Sequence, residues 1–479
     1  MRTHTKIFPR IAAAAALALV LGDCVVNPAT GKRQLIFISE GREIEMGREA
    51  DPQIVASLGL YDDPALQQYV QDMGSRLAAR SERPNLPWTF RVVDDPVVNA
   101  FALPGGFIYV TRGILAHLNS EAQLASVLGH EIGHVTGRHS VEQISRSQLT
   151  QVGLGVGSIV SSTFRDFSGV AGAGLGLLML SYGRGDERQA DDLGLRYMRR
   201  GGFDPREMSG VFELLARVSQ THGGRSTPEW LSTHPDPANR KERINDAVAA
   251  LNESFAGTTV GGDEYLRRLD GLVYGDNPRE GFFRDNLFMH PDLEFQIGFP
   301  EGWRTINQKQ AVAGVSPQED AIIQVTLASA RSPRAAADEF FGQEGINGSR
   351  PRSTRINGLS AYAGRFSAVS GRTEVQGIAA FIAFDQNVYQ IVGYGAASNW
   401  GSYRGHVDRS VNSFDRLRDP EALAVEPDRL DIFALPQEMS LSQFARGYST
   451  GLPLEELILI NQAEPDTPLS AGSLIKRVR

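Results

Sequence analysis

Two histidines four residues apart, with a glutamate between them, indicate a metal-binding site in this sequence. His130, Glu131 and His134 stand in the segment SVLGHEIGHVTGRHS and match the pattern HExxH. Residues four apart lie on one face of an α-helix, so both imidazoles can reach the same zinc ion. Glu131 lies about 100° round the helix, where its carboxylate can meet a water on the metal. The pattern therefore predicts a zinc-binding helix that carries its own general base.

Catalytic zinc takes three protein ligands, so this site needs a third. His139 is one candidate, but the three-histidine pattern HExxHxxGxxH requires a histidine where this chain has Ser140. Glu187, in GRGDERQADDLG, is the better candidate, and Asp191 follows it by one helical turn. Glu187 then coordinates zinc, and Asp191 accepts an N–H from a ligand histidine. The alternative is a charged first turn that complements the helix dipole.

A third polar group is the segment Thr233-His234-Pro235, with Arg240 further along the chain. Its histidine and arginine suit a cationic or hydrogen-bonding pair that stabilises the oxyanion of a tetrahedral intermediate. The alternative is a surface loop before a helix that begins with proline.

The helix that must hold the motif is predicted from Glu121 to Arg138, with Ser120 as its N-cap. Its apolar stripe is expected to pack on the core while the two histidines face elsewhere. The stripe consists of Leu124, Leu128, Ile132 and Val135. Two strands, WTFRVVDD and GGFIYVTR, precede the helix, with a turn at Pro104-Gly105-Gly106. Residues 152–181 are glycine-rich and interrupted by charge, so we expect a mobile segment near the site rather than a membrane span.

The N-terminal pattern is typical of an export signal. Arg2, Lys6 and Arg10 precede an apolar run that is too short to span a membrane but suits a secretory signal. The only cysteine, Cys24, follows that run, so an internal disulfide is excluded. Its position resembles a lipoprotein lipobox, in which the cysteine is lipidated, although Asp23 stands where that motif has a small residue. The alternative is a plain secreted protein.

The length of 479 residues predicts two or three domains, and the net charge of -8 argues against nucleic acid as a partner. From residue 282 onward, strand-like segments with two helices predict an α+β domain without metal or nucleophile spacing. The predicted divisions are a signal peptide (1–23), a tether (24–38), a metalloprotease domain (39–255), a linker (256–281), the α+β domain (282–418) and a C-terminal module (433–479).

Five segments occur in a recognisable order: NPATGKRQ, NAFALPGGFIYVTRGIL, SVLGHEIGHVTGRH, YGRGDERQAD and STHPDPANRKERI. Together they resemble the bacterial periplasmic zinc metalloproteases of the BepA type, which are relatives of HtpX and the CAAX prenyl proteases. The resemblance covers about residues 25–250. It implies a mainly α, zincin-like (gluzincin) domain with a small sheet. It also implies one Zn²⁺ per chain, held by His130, His134 and Glu187, with Glu131 as the base and with Asp191 and Arg240 behind the ligands.

The same resemblance places His234 near the zinc, where it regulates or assists catalysis, and matches Arg240 to the arginine downstream of it. It implies that Asn99, Ala100 and Phe101 form the edge strand to which a substrate adds as a β-strand. The membrane spans of HtpX and the prenyl proteases are absent from the sequence pattern, so prenylated peptides are not expected as substrates. The TPR repeats that often follow the protease in BepA-type proteins are not found here either.

Two further resemblances concern the second half. Residues 282–418 loosely resemble PsbP-like domains. Residues 433–479 resemble a small βααβ LysM module, and LysM modules bind peptidoglycan.

The leading hypothesis is a zinc-dependent endopeptidase that degrades misfolded or misassembled envelope proteins in the periplasm, anchored to the outer membrane if Cys24 is lipidated. The alternative location is the soluble periplasm or the medium. The alternative function is a chaperone or peptidoglycan-binding protein with a plugged protease site. A structural zinc site is disfavoured, because such sites have four closed ligands that usually include cysteine.

Overall fold

The structure, a computed structural model, describes residues 24–154, 182–222, 234, 237–370 and 373–479. The predicted signal peptide and almost all of the glycine-rich segment 152–181 lie outside these ranges. Within them, no helix combines the length and the apolar character needed to cross a membrane. The described chain is multidomain, with an N-terminal region (24–275), a middle region (278–423) and a C-terminal module (430–479).

The N-terminal region consists of helices around two small sheets. Its helices are α1 (Glu40–Leu58), α2 (Pro64–Ala78), α3 (Arg112–His117), α4 (Glu121–Gly137), α5 (His139–Leu154), α6 (Arg184–Gly201), α7 (Glu207–His222), α8 (Pro237–Ala250) and α9 (Gly262–Arg268). Its strands are β1 (Cys24–Val26), β2 (Arg33–Leu35), β3 (Thr89–Val93), β4 (Ala100–Leu103) and β5 (Phe107–Thr111). The three-stranded sheet has the order β3-β5-β4, with β3 parallel and β4 antiparallel to β5.

Helix α4, which carries the HExxH motif, begins and ends close to its predicted limits. The Ser120 hydroxyl accepts a hydrogen bond from the Gln123 amide at 3.1 Å, which is the predicted N-cap. Arg138 ends the helix in a left-handed conformation, with φ of 56°. The expected apolar stripe is buried, and so is every other residue from Ala122 to Gly137, the two histidines included. Helices α2, α6, α7 and α9 and the sheet surround α4, so the motif lies inside the protein.

The segment predicted as a tether, residues 24–38, is folded instead of extended. Strands β1 and β2 form an antiparallel hairpin. From this hairpin, Asn27 Nδ2 donates to Thr136 O at 3.0 Å, and Gln34 Nε2 donates to Gly137 O at 2.7 Å. These are carbonyls at the end of α4 that have no partner within the helix. The hairpin therefore caps the C-terminus of the motif helix.

The predicted linker, residues 256–281, also differs from expectation. It contains α9, whose Tyr265 is fully buried and donates its hydroxyl to Leu115 O at 2.8 Å. Leu266, Leu269 and Leu272 join the same apolar core as the motif helix. Gly257 and Gly261 adopt positive φ and Gly262 begins α9, so the segment is a folded part of the N-terminal region.

The middle region has the predicted α+β composition. Its strands are β6 (Phe282–Arg284), β7 (Leu287–His290), β8 (Phe295–Gly298), β9 (Arg304–Gln308), β10 (Ala311–Val315), β11 (Ala321–Leu327), β12 (Ile346–Gly348), β13 (Arg352–Ile356), β14 (Leu359–Ser370), β15 (Thr373–Phe384), β16 (Asn387–Ala396) and β17 (Asp415–Arg416). Its helices are α10 (Pro333–Phe341), α11 (Trp400–Ser413) and α12 (Pro420–Leu423).

An antiparallel sheet with the order β12-β14-β15-β16-β11-β10-β9 organises this region, and β13 also pairs with β14. Helix α11 packs on one face of the sheet and α10 on the other, each over its own apolar core. A cleft of about 900 Å³ is lined by Gln324, Phe340 and Gln390, among others. None of the predicted site residues lines it.

The C-terminal module has the predicted βααβ order: β18 (Leu430–Ala434), α13 (Leu441–Gly447), α14 (Leu454–Asn461) and β19 (Leu474–Val478). It is docked on the N-terminal region, because Leu459, Ile460 and Val478 belong to the same core as α4. Lys476 is fully buried, and its Nζ donates to Ala116 O at 2.7 Å and to Leu118 O at 2.9 Å. Burial holds the pKa of Lys476 well below its usual value.

Candidate metal centre

A close approach between α4 and α6 builds the centre. A Cβ at Gly133 would lie 2.7 Å from the carbonyl oxygen of Ala190, well inside van der Waals contact. Only glycine lets the two helices lie this close together. Ala190 is flanked on α6 by Glu187 and Asp191, so this contact brings both carboxylates to the motif histidines.

Four buried side chains converge between these helices. The Nε2 atoms of His130 and His134 lie 3.0 Å apart. Glu187 Oε1 lies 3.4 Å from His134 Nε2, and Glu187 Oε2 lies 3.6 Å from His130 Nε2. His234 Nδ1 completes the group, 3.3 Å from His130 Nε2 and 3.0 Å from Glu187 Oε1. All four ligand atoms lie within 4.8 Å of one another, an arrangement able to hold one metal ion.

Asp191 lies behind His130. Its Oδ1 is 3.0 Å from His130 Nδ1, the contact required to fix the imidazole with Nε2 towards the cluster. Arg240 in turn binds Asp191 through Nε at 3.0 Å and Nη2 at 2.6 Å, and its Nη1 lies 2.7 Å from Glu187 Oε2. Burial alone would raise the pKa of Asp191, but Arg240 and His130 outweigh it and lower that pKa. The ionised carboxylate is therefore the stable form.

The sequence offered two places for Arg240, behind the ligands with Asp191 or beside His234 as an oxyanion-binding partner, and the structure has it behind the ligands. Its guanidinium is engaged by two carboxylates and stacks over the Phe212 ring at 4.4 Å. This geometry favours a role in holding Glu187 and Asp191 over contact with a substrate oxyanion.

Glu131 is buried in the same place but is bonded differently. Neither of its carboxylate oxygens accepts a hydrogen bond from the residues that the structure describes. The nearest cation-forming group is His234, whose Nε2 lies 3.7 Å from Glu131 Oε1. Burial raises the pKa of Glu131, and the Glu187 carboxylate adds to this rise. A buried carboxylate with free lone pairs and a raised pKa suits a proton acceptor.

The pKa values of the other groups in the cluster are shifted in opposite directions. Burial alone would raise the pKa of Glu187, but His234, His134 and Arg240 hold it well below its usual value. Burial lowers the pKa of His134 well below normal. For His234, burial is outweighed by the carboxylates of Glu187 and Glu131, so its pKa is raised. The cluster thus combines an ionised carboxylate with a neutral imidazole, the protonation states that metal ligands need.

Two neighbours of His134 were not predicted as partners. The Tyr182 ring stacks on the His134 ring with centroids 3.8 Å apart, and its hydroxyl is 2.8 Å from Ser140 Oγ. His139, weighed from the sequence as a third ligand, places Nδ1 3.0 Å from His134 Nδ1, on the opposite edge of that ring from the cluster. The near match to HExxHxxGxxH indicated His139, whereas Tyr182 begins the segment YGRGDERQAD without a role being assigned to it from the sequence.

The remaining predicted site residues lie outside the cluster. Ala100 and Phe101 belong to β4, an outer strand of the described three-stranded sheet, and Phe101 stacks on Tyr109 at 4.8 Å. Asn99 precedes β4, and its buried Oδ1 accepts no hydrogen bond from the described residues. Cys24 begins the capping hairpin, paired with Leu35.

The donor set fits zinc. Two imidazole nitrogens and a carboxylate oxygen converge in a buried space, which is the ligand type and number of catalytic zinc sites. The free oxygens of Glu131 lie beside them, where a water on the metal would need an acceptor. His234 offers a fourth donor, whereas catalytic sites have three protein ligands and leave the fourth position to water.

Part of the chain is similar to known peptidases. Residues 64–248 match Peptidase family M48. The beta-barrel assembly-enhancing protease of Yersinia pestis is 34% identical over 248 residues, which cover 50% of each chain. The mitochondrial metalloendopeptidase OMA1 of Schizosaccharomyces pombe is 31% identical over 229 residues, covering 46% of this chain and 65% of that protein. The match to the bacterial relatives spans about half of their length.

Among solved structures, cyanobacterial PsbP from Synechocystis matches with a TM-score of 0.23 and 14% identity, covering 28% of this chain and 95% of that one.

Proposed function

From the Peptidase family M48 domain at residues 64–248, we propose that the chain is a zinc-dependent endopeptidase. His130, His134 and Glu187 hold the metal, and Glu131 is the general base. One observation carries the proposal: two imidazole Nε2 atoms and the Glu187 carboxylate converge beside a buried carboxylate that accepts no hydrogen bond from the described residues.

Zinc bound here would supply Lewis acidity, which polarises the scissile carbonyl and eases deprotonation of the attacking water. Glu131 takes the proton from that water and delivers it to the leaving amine. Asp191 and Arg240 keep His130 and Glu187 in position throughout, because their ion pairs are buried and closed.

Strand β4 is the proposed substrate strand, to which an extended peptide adds through main-chain hydrogen bonds. The free Oδ1 of Asn99 supports this proposal, since it is a buried acceptor with no described partner next to that strand.

The proposed substrates are misfolded or misassembled proteins of the cell envelope. The name of the Yersinia relative, a beta-barrel assembly-enhancing protease, supports this class. The proposed location is the periplasm, with a lipid on Cys24 as the anchor to the outer membrane. Binding of peptidoglycan by the C-terminal module is a further proposal, supported by its βααβ order.

Hydrolysis of casein, with and without a chelator, tests the activity. Glu131→Gln should lower the rate by about 10²- to 10⁴-fold while zinc stays bound, because only proton transfer is lost. Glu45→Gln, a surface change on α1, is the matched control and should keep the wild-type rate. Equal cleavage by the Glu131 variant would remove Glu131 from its role.

The second candidate is a site plugged by its own histidine. It is favoured by the position of His234, whose Nδ1 lies within 3.3 Å of both His130 Nε2 and Glu187 Oε1. In that position the imidazole replaces the attacking water. His234→Ala should then raise casein hydrolysis above the wild-type rate with zinc still bound. A lower rate in this variant would instead assign His234 an assisting role.

A further inference from the structure

The ring nitrogens of His139 form the middle of a buried chain of hydrogen bonds that begins at His134. His134 Nδ1 lies 3.0 Å from His139 Nδ1, and His139 Nε2 lies 2.7 Å from Gln189 Oε1. His134 and His139 are 1% and 2% exposed, so water does not compete for the contact between them, whereas Gln189 is half-buried. Gln189 belongs to α6, the helix that also carries Glu187 and Asp191.

The donor and the acceptor of each of these hydrogen bonds follow from the nitrogen of His134 that faces the cluster. That atom is Nε2, which needs a free lone pair to bind a metal, so the proton of the neutral ring is on Nδ1. Nδ1–H donates to His139 Nδ1, which must then be the unprotonated nitrogen of His139. The proton of His139 is therefore on Nε2, where it donates to the amide oxygen of Gln189. The amide oxygen only accepts, so it fixes both tautomers.

The local sequence is shaped to place this ring. A Cβ at Gly137 would lie 2.5 Å from His139 Nε2, so only glycine leaves room for the imidazole over the end of α4. Arg138, with φ of 56°, reverses the chain between α4 and α5 and returns His139 towards His134. Arg138 is held in this conformation by Nε, which donates to Glu43 Oε2 at 3.0 Å, and by Nη2, which donates to Ile38 O at 2.9 Å.

We propose that His139 is the positioning residue of His134. Its Nδ1 accepts a hydrogen bond from His134 Nδ1–H, and its own Nε2–H donates to Gln189 Oε1. These two hydrogen bonds orient His134 so that its Nε2 faces the zinc. The inference rests on the proposed zinc site. The two ligand histidines are then held differently. His130 is oriented by the carboxylate of Asp191, whereas His134 is oriented by a neutral imidazole that ends on a neutral amide.

Zinc affinity, measured by competition with a chromogenic chelator, tests this role without any assay of hydrolysis. His139→Ala removes the acceptor and should weaken zinc binding by about 10- to 100-fold, the usual effect of losing a partner of a ligand histidine. His139→Asn keeps an acceptor near the Nδ1 position and should restore most of the affinity. His406→Ala, in the middle region, is the control and should bind zinc as the wild type does.

Thermal unfolding of the zinc-free proteins separates positioning from simple packing. If His139 only fills space, His139→Ala and His139→Asn should lose zinc affinity in proportion to their loss of thermal stability. If His139 positions His134, His139→Asn should regain more of the zinc affinity than of the thermal stability. Unchanged zinc affinity in His139→Ala overturns the inference and leaves the proposed function intact. A wild-type protein that binds no zinc overturns both. Gly137→Ala, which displaces the His139 ring without removing it, should reproduce the loss if His139→Ala fails to fold.

Discussion

Replacing Gly133 by alanine tests whether the close approach of α4 and α6 holds the metal centre together. The new Cβ would lie 2.7 Å from the carbonyl oxygen of Ala190, where ordinary contact begins at 3.4 Å. The helices must therefore separate by about 0.7 Å at this point. Overpacking of this kind destabilises a protein by about 1–3 kcal/mol. Zinc–ligand distances tolerate only about 0.2 Å, so Glu187 on α6 would leave coordination distance from the α4 histidines.

We therefore expect Gly133→Ala to lose about 1–3 kcal/mol of unfolding free energy in urea and about 10- to 100-fold in zinc affinity. Gly185→Ala, on the partner helix α6, is the matched control, because a Cβ there meets no neighbouring atom within 4 Å. That variant should bind zinc normally and unfold at the same or a slightly higher urea concentration. Normal zinc affinity and stability in Gly133→Ala would refute the argument that glycine is required between these helices.

Three further changes test other contacts. Lys476→Met leaves two buried carbonyls without a donor and should destabilise the protein to urea by about 1–3 kcal/mol; an equally stable variant would show that this contact does not hold the C-terminal module. Asn27→Ala removes the hydrogen bond to Thr136 O and should lower the free energy of unfolding in urea by about 1 kcal/mol; an unchanged value would show that this bond does not stabilise the end of α4. Asp191→Asn removes the anionic partner of His130 and should weaken zinc binding by about 10- to 100-fold; wild-type affinity would exclude that role.

Local patterns predicted the elements that carry the chemistry. Helix α4 could be delimited because its cap at Ser120 and its apolar spacing lie within the helix itself. The α+β composition of the middle region follows in the same way from alternating strand patterns. The proximity of Glu187 to the motif was expected from its spacing to Asp191 and from family resemblance, and the structure brings both carboxylates to the histidines.

The contacts that could not be predicted join residues that are far apart in the sequence. Asn27 and Gln34 stand in a polar, turn-rich segment that suggests a tether, yet their amides bind the carbonyls at the end of α4. Lysine is usually exposed, and nothing near Lys476 in the sequence indicates its burial, because only the fold brings the end of α3 to it. Tyr182 has no feature of its own that marks it as a neighbour of His134.

The zinc content of the purified protein tests the central claim most directly, measured beside Glu187→Ala and Glu131→Gln. We predict one zinc per chain in the wild type and in Glu131→Gln, since Glu131 is not a ligand. We predict sub-stoichiometric zinc in Glu187→Ala, because this change removes the anionic donor of the described cluster and leaves the imidazoles of His130, His134 and His234. Stoichiometric zinc in Glu187→Ala would contradict the assignment of the third ligand.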